Sequence, residues 1–322
     1  MSKLVFSQKG CYYKTNTTLD GSPMVLSQAR VILILCNQPF KCEPKFQSIF
    51  LIKQMTDYLI SMRDAQSLYK FNQASWDLQD EGIASVWATM ALIKSFEITN
   101  NQKYIEAASL TMQAMLSHLY TKETSLIHTK GDTFWTLDAA STFAYVCSLF
   151  LEHRFNEDLR TAMNDSISLC INNISTNGHF PYHENRDTYL FLYHPIIMVT
   201  LEKCLNSKYV DPQIKQKLKN TITKATNFLV ESFDKNNRIF EPVVQRYQQY
   251  LISQVTALYS LKGKNFSVLE ESLLRNIASF AKNEKLYLCK DNRNKLFNSD
   301  TYITLDVFLV EVLFWLDLYF NE

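Results

Sequence analysis

Two neighbouring segments, GIASVWATMALIKSF (Gly82–Phe96) and NQKYIEAASLTMQAMLSHLY (Asn101–Tyr120), decide the fold. The first is apolar nearly all round. The second keeps its polar side chains on one face. A helix apolar on every side is surrounded by protein, whereas a one-sided helix meets water. The pair therefore reads as an inner helix followed by an outer one.

The same pairing recurs along the whole chain. Inner helices start near Met24, Gln79, Phe134, Asp187, Val243 and Asp300. Further examples are AASTFAYVCSLFLE (Ala139–Glu152), YLFLYHPIIMVTLEKC (Tyr189–Cys204) and TLDVFLVEVLFWLDL (Thr304–Leu318). One-sided helices lie between them, near Glu43–Arg63, Gln102–Tyr120, Asn156–Ile174, Asp211–Phe233 and Phe266–Lys282. A repeat of about 55 residues is the mark of a solenoid or a closed array. Short connections make neighbouring helices antiparallel. Six inner helices alternating with outer ones predict an all-α (α/α)₆ toroid. The chain ends on an inner helix, so one outer helix is missing. The seam is either open or filled by the N-terminal segment. Length alone suggests about two domains. The repeat is unbroken by any Gly/Ser- or Pro-rich linker, so residues 1–322 read as one domain.

Composition narrows the function. At 47% hydrophobic residues the chain can bury a large core. Its 33 basic and 32 acidic residues are interspersed, and no basic stripe points to nucleic acid. No apolar run reaches the roughly 18–20 residues of a membrane span. The nearest candidate, Thr301–Phe320, is interrupted by Asp306, Glu311 and Asp317. The first residues lack a signal-peptide apolar core. Seven scattered cysteines form no C-x-x-C pair and read as reduced thiols of a cytoplasmic protein. No H-E-x-x-H, Cys/His cluster, P-loop or G-x-S-x-G occurs, so neither a metal nor a cofactor is expected.

The linkers SLIHTKGDTFW, NISTNGHFPYHENRD and FDKNNRIFEP combine turn residues with aromatics and read as turns or short hairpins. All precede inner helices, so all collect at one end of the ring, beside the helix N-termini. That end forms a funnel suited to a small molecule. Aligning the repeats brings chemically useful residues to it: Trp76, Asp80 and Glu81, then Trp135 and Asp138. Tyr182, His183 and His194 follow, then Arg246 and Gln249, and finally Tyr302 and Asp306. Aromatic rings stack on sugar faces, and carboxylates perform acid/base work.

Each candidate also has a plain structural reading. Asp80 is well placed as an N-cap, as are Asp187 and Asp300. Glu81 suits a first-turn partner for the helix dipole. His194 reads equally as a core histidine. Asp138 lies one turn inside an apolar helix, where a lone carboxylate is costly. Trp87 and Trp315 read as core.

Two strings resemble a known family. LQDEGIASVWATMALIKSFEITNNQKYIEAA (Leu78–Ala108) resembles the second helix pair of (α/α)₆ sugar enzymes. FWTLDAASTFAYVCSLF (Phe134–Phe150) resembles the W-x-x-D inner helix of the unsaturated glucuronyl and rhamnogalacturonyl hydrolases. The resemblance implies paired acids on successive inner helices. Asp80 or Glu81 would match the first, and Asp138 the second, as general acid/base on a uronic-acid-containing oligosaccharide. Two alternatives stay open. One is a terpenoid-cyclase or prenyltransferase-like toroid acting on an isoprenoid, with Asp138 as protonating acid. The other is a non-catalytic binding or scaffold protein.

Overall fold

The computed structural model describes residues 4–13, 24–37, 45–70, 80–131, 133–183, 193–233, 236, 238–239, 241–243, 246–282, 285–287, 289–291, 295–297 and 304–321. At 4–6, 12–13, 45–47, 241–243, 246–248, 285, 291, 297 and 304–309 the description covers the backbone only.

Eleven α-helices lie among the described residues. The inner ones are α1 (Val25–Asn37), α3 (Glu81–Thr99), α5 (Leu137–Leu151), α7 (Tyr193–Cys204), α9 (Leu251–Leu261) and α11 (Thr304–Asn321). The outer ones are α2 (Lys45–Ser61), α4 (Gln102–His118), α6 (Glu157–Asn172), α8 (Pro212–Glu231) and α10 (Ser267–Ala278). Each inner helix packs against the next around the ring, and α11 closes it against α1. Outer helices pack on their inner partners, most extensively α6 on α5 and α4 on α3. The helices form an (α/α)₆ toroid, with five outer helices among the described residues. A hairpin of β1 (Leu4–Ser7) and β2 (Gly10–Tyr13) packs on α2 and α1, the first helix pair. Gly10, at φ +124°, makes that contact possible, because a Cβ there would run into the Gln54 carbonyl oxygen.

Helix boundaries follow local chemistry. Asp80 caps α3 by accepting from the Ile83 amide at 2.9 Å. Asp211 caps α8 ahead of Pro212, where proline's fixed φ suits the first turn. Asn100 ends α3 in the left-handed conformation, φ 53°. Two boundaries differ from expectation. Val243 does not start the fifth inner helix; it belongs to β5 (Glu241–Val243), paired with β6 (Arg246–Tyr250). Residues of strand preference fill this stretch, and the helix begins only at Leu251. Lys282 likewise lies in β7 (Ala281–Lys282), past the end of α10. Asp187 and Asp300 lie outside the described residues.

Buried side chains of inner helices meet inside the ring. Arg30 of α1 and Glu311 of α11 form a buried ion pair at 2.9 Å. The Arg30 guanidinium also lies 4.6 Å from the centre of the Trp87 ring, and Trp87 packs edge-on against Phe314. Arg30, Trp87 and Glu311 lie about one and a half to two turns into their helices from the N-terminal end, and Phe314 about three, so the cluster sits below the mouth. Trp87, Phe314 and Trp315 also line a cavity of about 30 Å³. That cavity reaches toward the opposite, C-terminal ends of the inner helices, where Asn37, Lys94 and Lys203 lie. Among the described residues, no helix is long and apolar enough to cross a membrane.

Candidate active site

The linkers build the mouth by capping the heads of earlier helices. The first two amides of α3, on Glu81 and Gly82, donate to the His128 carbonyl at 2.7 and 2.8 Å. One repeat later, the Leu137 amide at the head of α5 donates to the Tyr182 carbonyl at 3.2 Å. Gly82 permits the first docking, since a Cβ there would meet the Ile127 carbonyl oxygen at 2.5 Å.

Linker 119–136 is a double hairpin. β3 (Tyr120–Thr121) pairs with β4 (Ser125–Leu126), and Ile127 then bridges Trp135. The His128 amide donates to the Phe134 carbonyl at 2.9 Å. This second turn folds His128 back onto Thr136, eight residues later. Glu81 fixes it from behind, its carboxylate accepting from the Lys130 amide at 3.0 Å and lying 3.5 Å from the Lys70 ammonium.

A chain of polar groups results. Asp80 Oδ2 lies 2.7 Å from His128 Nδ1. His128 Nε2 lies 2.9 Å from Thr136 Oγ1. Thr136 stands at the N-cap of α5, yet its side chain makes no capping bond. A threonine there would ordinarily satisfy a first-turn amide. Its hydroxyl is turned to the imidazole instead.

Asp138 keeps part of its surface open, but its Oδ1 is sealed from solvent without a hydrogen-bond partner. Burial pushes its carboxyl up to about 6, and Asp80 adds to the rise; Thr136, His128 and the Ala139 amide oppose it. Such a group exchanges a proton near neutrality. Asp80 has a different character. Its Oδ1 is bound by the Ile83 amide and its Oδ2 by His128, so it steadies the imidazole.

Aromatic rings wall the site. His183 stacks on Phe134 at 5.1 Å and 19°, with Trp135 at 5.4 Å. Phe134 also meets His128 at 4.8 Å, and Tyr182 meets Tyr193 at 4.4 Å.

Solved structures share this architecture. A sugar epimerase from a ruminal bacterium superposes with TM-score 0.73 at 8% identity, over 96% of this chain and 92% of that one. A cellobiose 2-epimerase from Bacillus thermoamylovorans B4167 gives TM-score 0.73 at 10% identity, over 97% and 94%. A glycosyl hydrolase family 88 protein from Bacteroides vulgatus gives 0.63 at 10%, over 90% and 91%. The shared feature is the fold. No family model and no curated sequence matches this chain.

The structure thus brings together Asp80, Glu81, Trp135, Asp138, Tyr182 and His183. His194 stands apart. It is fully buried, its Nδ1 accepting from the Phe180 amide at 3.1 Å and its Nε2 facing the Ala225 carbonyl of α8 at 3.2 Å. Burial, followed by His179, lowers it to about 3, so it stays neutral. Gln249 is also drawn elsewhere: its amide oxygen accepts from Asn276 of α10 at 2.8 Å, inside a half-buried network with Gln254. Trp76 and Tyr302 lie outside the described residues, as do the side chains of Arg246 and Asp306. Among the described residues, no group of three His, Cys, Asp or Glu is placed to hold a metal ion.

His128 and Thr136 do not stand out in the sequence. The one available signal is a histidine within a linker ahead of an acid-bearing inner helix.

Proposed function

We propose that this chain is a carbohydrate-active enzyme performing acid/base chemistry on a uronic-acid-containing oligosaccharide at the ring mouth. Asp138 is the proton donor. One observation carries the reading: a carboxyl with a sealed oxygen, held near neutrality, beside an aromatic wall at the head of an inner helix. Asp80 assists through His128 rather than by attacking substrate, and Glu81 holds the loop. Trp135, Tyr182 and His183 offer rings and an imidazole to the sugar. Trp76, Arg246, Tyr302 and Asp306 complete the proposed mouth from the other repeats.

With a single free acid, the chemistry best matched is protonation of an enol-ether double bond or a glycosidic oxygen, followed by attack of water. A retaining double displacement needs a second, unencumbered carboxylate, and Asp80 is fully engaged. The fold's likeness to a protein of glycosyl hydrolase family 88 supports this reading. So does a wall in which histidine, tyrosine and tryptophan stand around Phe134, since an isoprenoid pocket would be lined mainly with Phe, Leu and Met. Cys11, Cys36, Cys147, Cys170 and Cys204 are buried thiols outside any disulfide, which suits a cytoplasmic setting.

The test is turnover of an unsaturated glucuronyl disaccharide, followed by loss of its double-bond absorbance. Asp138→Asn is expected to lower the rate by about 10²–10⁴ with an unchanged fold. A variant as active as the wild type contradicts the assignment. A second reading, epimerisation or isomerisation of a free sugar, is favoured by the likeness to two epimerases and by imidazoles on both sides of Phe134. It is distinguished by deuterium uptake from heavy water into a reducing disaccharide.

A further inference from the structure

We propose that the lumen of the ring holds a second ligand site, a seat for one small monovalent anion between the Trp315 indole and the ammonium groups of Lys203 and Lys94. The site uses none of the residues given a role above and does not rest on that function.

The cavity of about 30 Å³ is enclosed by α1, α3, α5, α7 and α11. It has room for about one water molecule, or a halide of similar size. Trp315 lines it and is 3% exposed. Its indole N–H has no hydrogen-bond partner among the described residues. An indole nitrogen donates and does not accept, so the missing partner is an acceptor. A buried donor left without one is costly.

Charge narrows the choice of acceptor. The charged side chains lining the cavity, Lys94 and Lys203, are both cationic, and no carboxylate lines it among the described residues. Lys94 is also paired with Glu97 at 2.7 Å. The Lys203 ammonium lies 5.8 Å from the centre of the Tyr145 ring and 5.6 Å from that of Tyr259. Its neighbour Glu202 is engaged with Lys264 at 2.7 Å. Asn37, the last residue of α1, adds an amide that can donate. The carbonyl ends of α1 and α7 lie at the same level and temper the attraction, so the binding is weak.

Water is the competing occupant. It would accept from the indole and could donate to the hydroxyl oxygens of Thr142 and Thr200. Their own protons go to the Asp138 and Ile196 carbonyls at 2.6 and 2.9 Å. The field of the lysines decides between the two. Walls of tryptophan, phenylalanine and leucine leave little solvent to screen it, and a full negative charge gains more from it than a dipole. Held there, the anion ties α11 to α3 and α7 across the ring.

The test uses substrate-free protein. The indole N–H resonance of Trp315, assigned by its loss in Trp315→Phe, is followed by NMR as sodium chloride replaces sodium gluconate, whose anion is too large to enter. The resonance is expected to move and to saturate by about 0.15 M chloride, physiological ionic strength. Lys203→Met should raise the midpoint about tenfold. Lys94→Met should raise it less, since Lys94 is shared with Glu97. Sodium formate separates the sources. A saturating shift extends the seat to small carboxylates, and no shift confines it to a halide. In crystals grown from sodium bromide, the anomalous peak of bromide should lie within hydrogen-bond reach of Trp315 Nε1. A resonance that stays fixed, moves without saturating, or moves equally in Lys203→Met overturns the site, as does ordered water in the lumen of the bromide crystals. None of these readings needs substrate, so they stand or fall apart from the turnover of Asp138→Asn.

Discussion

Asp138 and His194 occupy the same place in successive repeats, each the second residue of an inner helix, and they have opposite fates. His194 has both ring nitrogens bound to backbone groups of Phe180 and Ala225, and it ties α7 to α8. Asp138 has one carboxyl oxygen with no partner and stands at the head of α5, beside the Thr136–His128 pair. The difference lies in the linkers. The one before α7 presents a backbone amide at Phe180, which a histidine nitrogen satisfies. The one before α5 folds a second histidine back onto the helix head. A polar residue at a repeat position becomes wall or reagent according to what the preceding loop delivers to it.

The largest effect expected from this contrast is a double dissociation. His194→Ala removes a buried ring and orphans the Phe180 amide and the Ala225 carbonyl. It should cost about 3–5 kcal/mol of stability, measured by denaturant unfolding, while turnover per folded molecule persists. Asp138→Asn should do the reverse, melting at or above the wild-type temperature while losing turnover. If His194→Ala instead lost turnover and kept stability, the assignment of wall and reagent would be exchanged.

A smaller effect concerns pH. Asp138 has a folded value of about 6 against an ordinary value of about 3.9. Its stabilising effect is present below the ordinary value and is lost as pH rises through the folded one. His194, lowered to about 3 from about 6.5, works the other way. It disfavours the folded state progressively as pH falls below its ordinary value, because only the unfolded chain takes up the proton. The two slopes oppose each other between about pH 4 and 6. Asp138→Asn should therefore steepen the loss of stability on acidification in that window, and His194→Ala should flatten it. Thermal melts across the window measure both, and identical slopes in the two variants would contradict the assigned environments.

The fold was legible because burial imposes periodicity. Six all-round apolar helices alternating with five one-sided ones admit few arrangements, and the ring follows from them. The misplaced start at Val243 shows the limit. A short run of β-branched and aromatic residues beside an apolar helix reads as its first turn until strand pairing is known. Asp138 was legible because a carboxylate within an apolar run is conspicuous. His128 was not, since only the Ile127–Trp135 bridge brings it to Thr136. Thr136 itself looks in sequence like an ordinary cap. Gln249 misled because its partner, Asn276, belongs to an outer helix, a pairing that alignment of inner helices does not reveal.

The most direct test is a crystal structure of Asp138→Asn with the unsaturated glucuronyl disaccharide bound. The sugar is expected in the mouth, at the N-terminal ends of the inner helices. Its unsaturated ring should lie against His183 and the neighbouring rings, with a reacting atom within hydrogen-bond reach of the residue-138 amide. A sugar bound at the opposite end of the ring, or at the mouth but away from residue 138, would contradict the assignment of Asp138 as the proton donor.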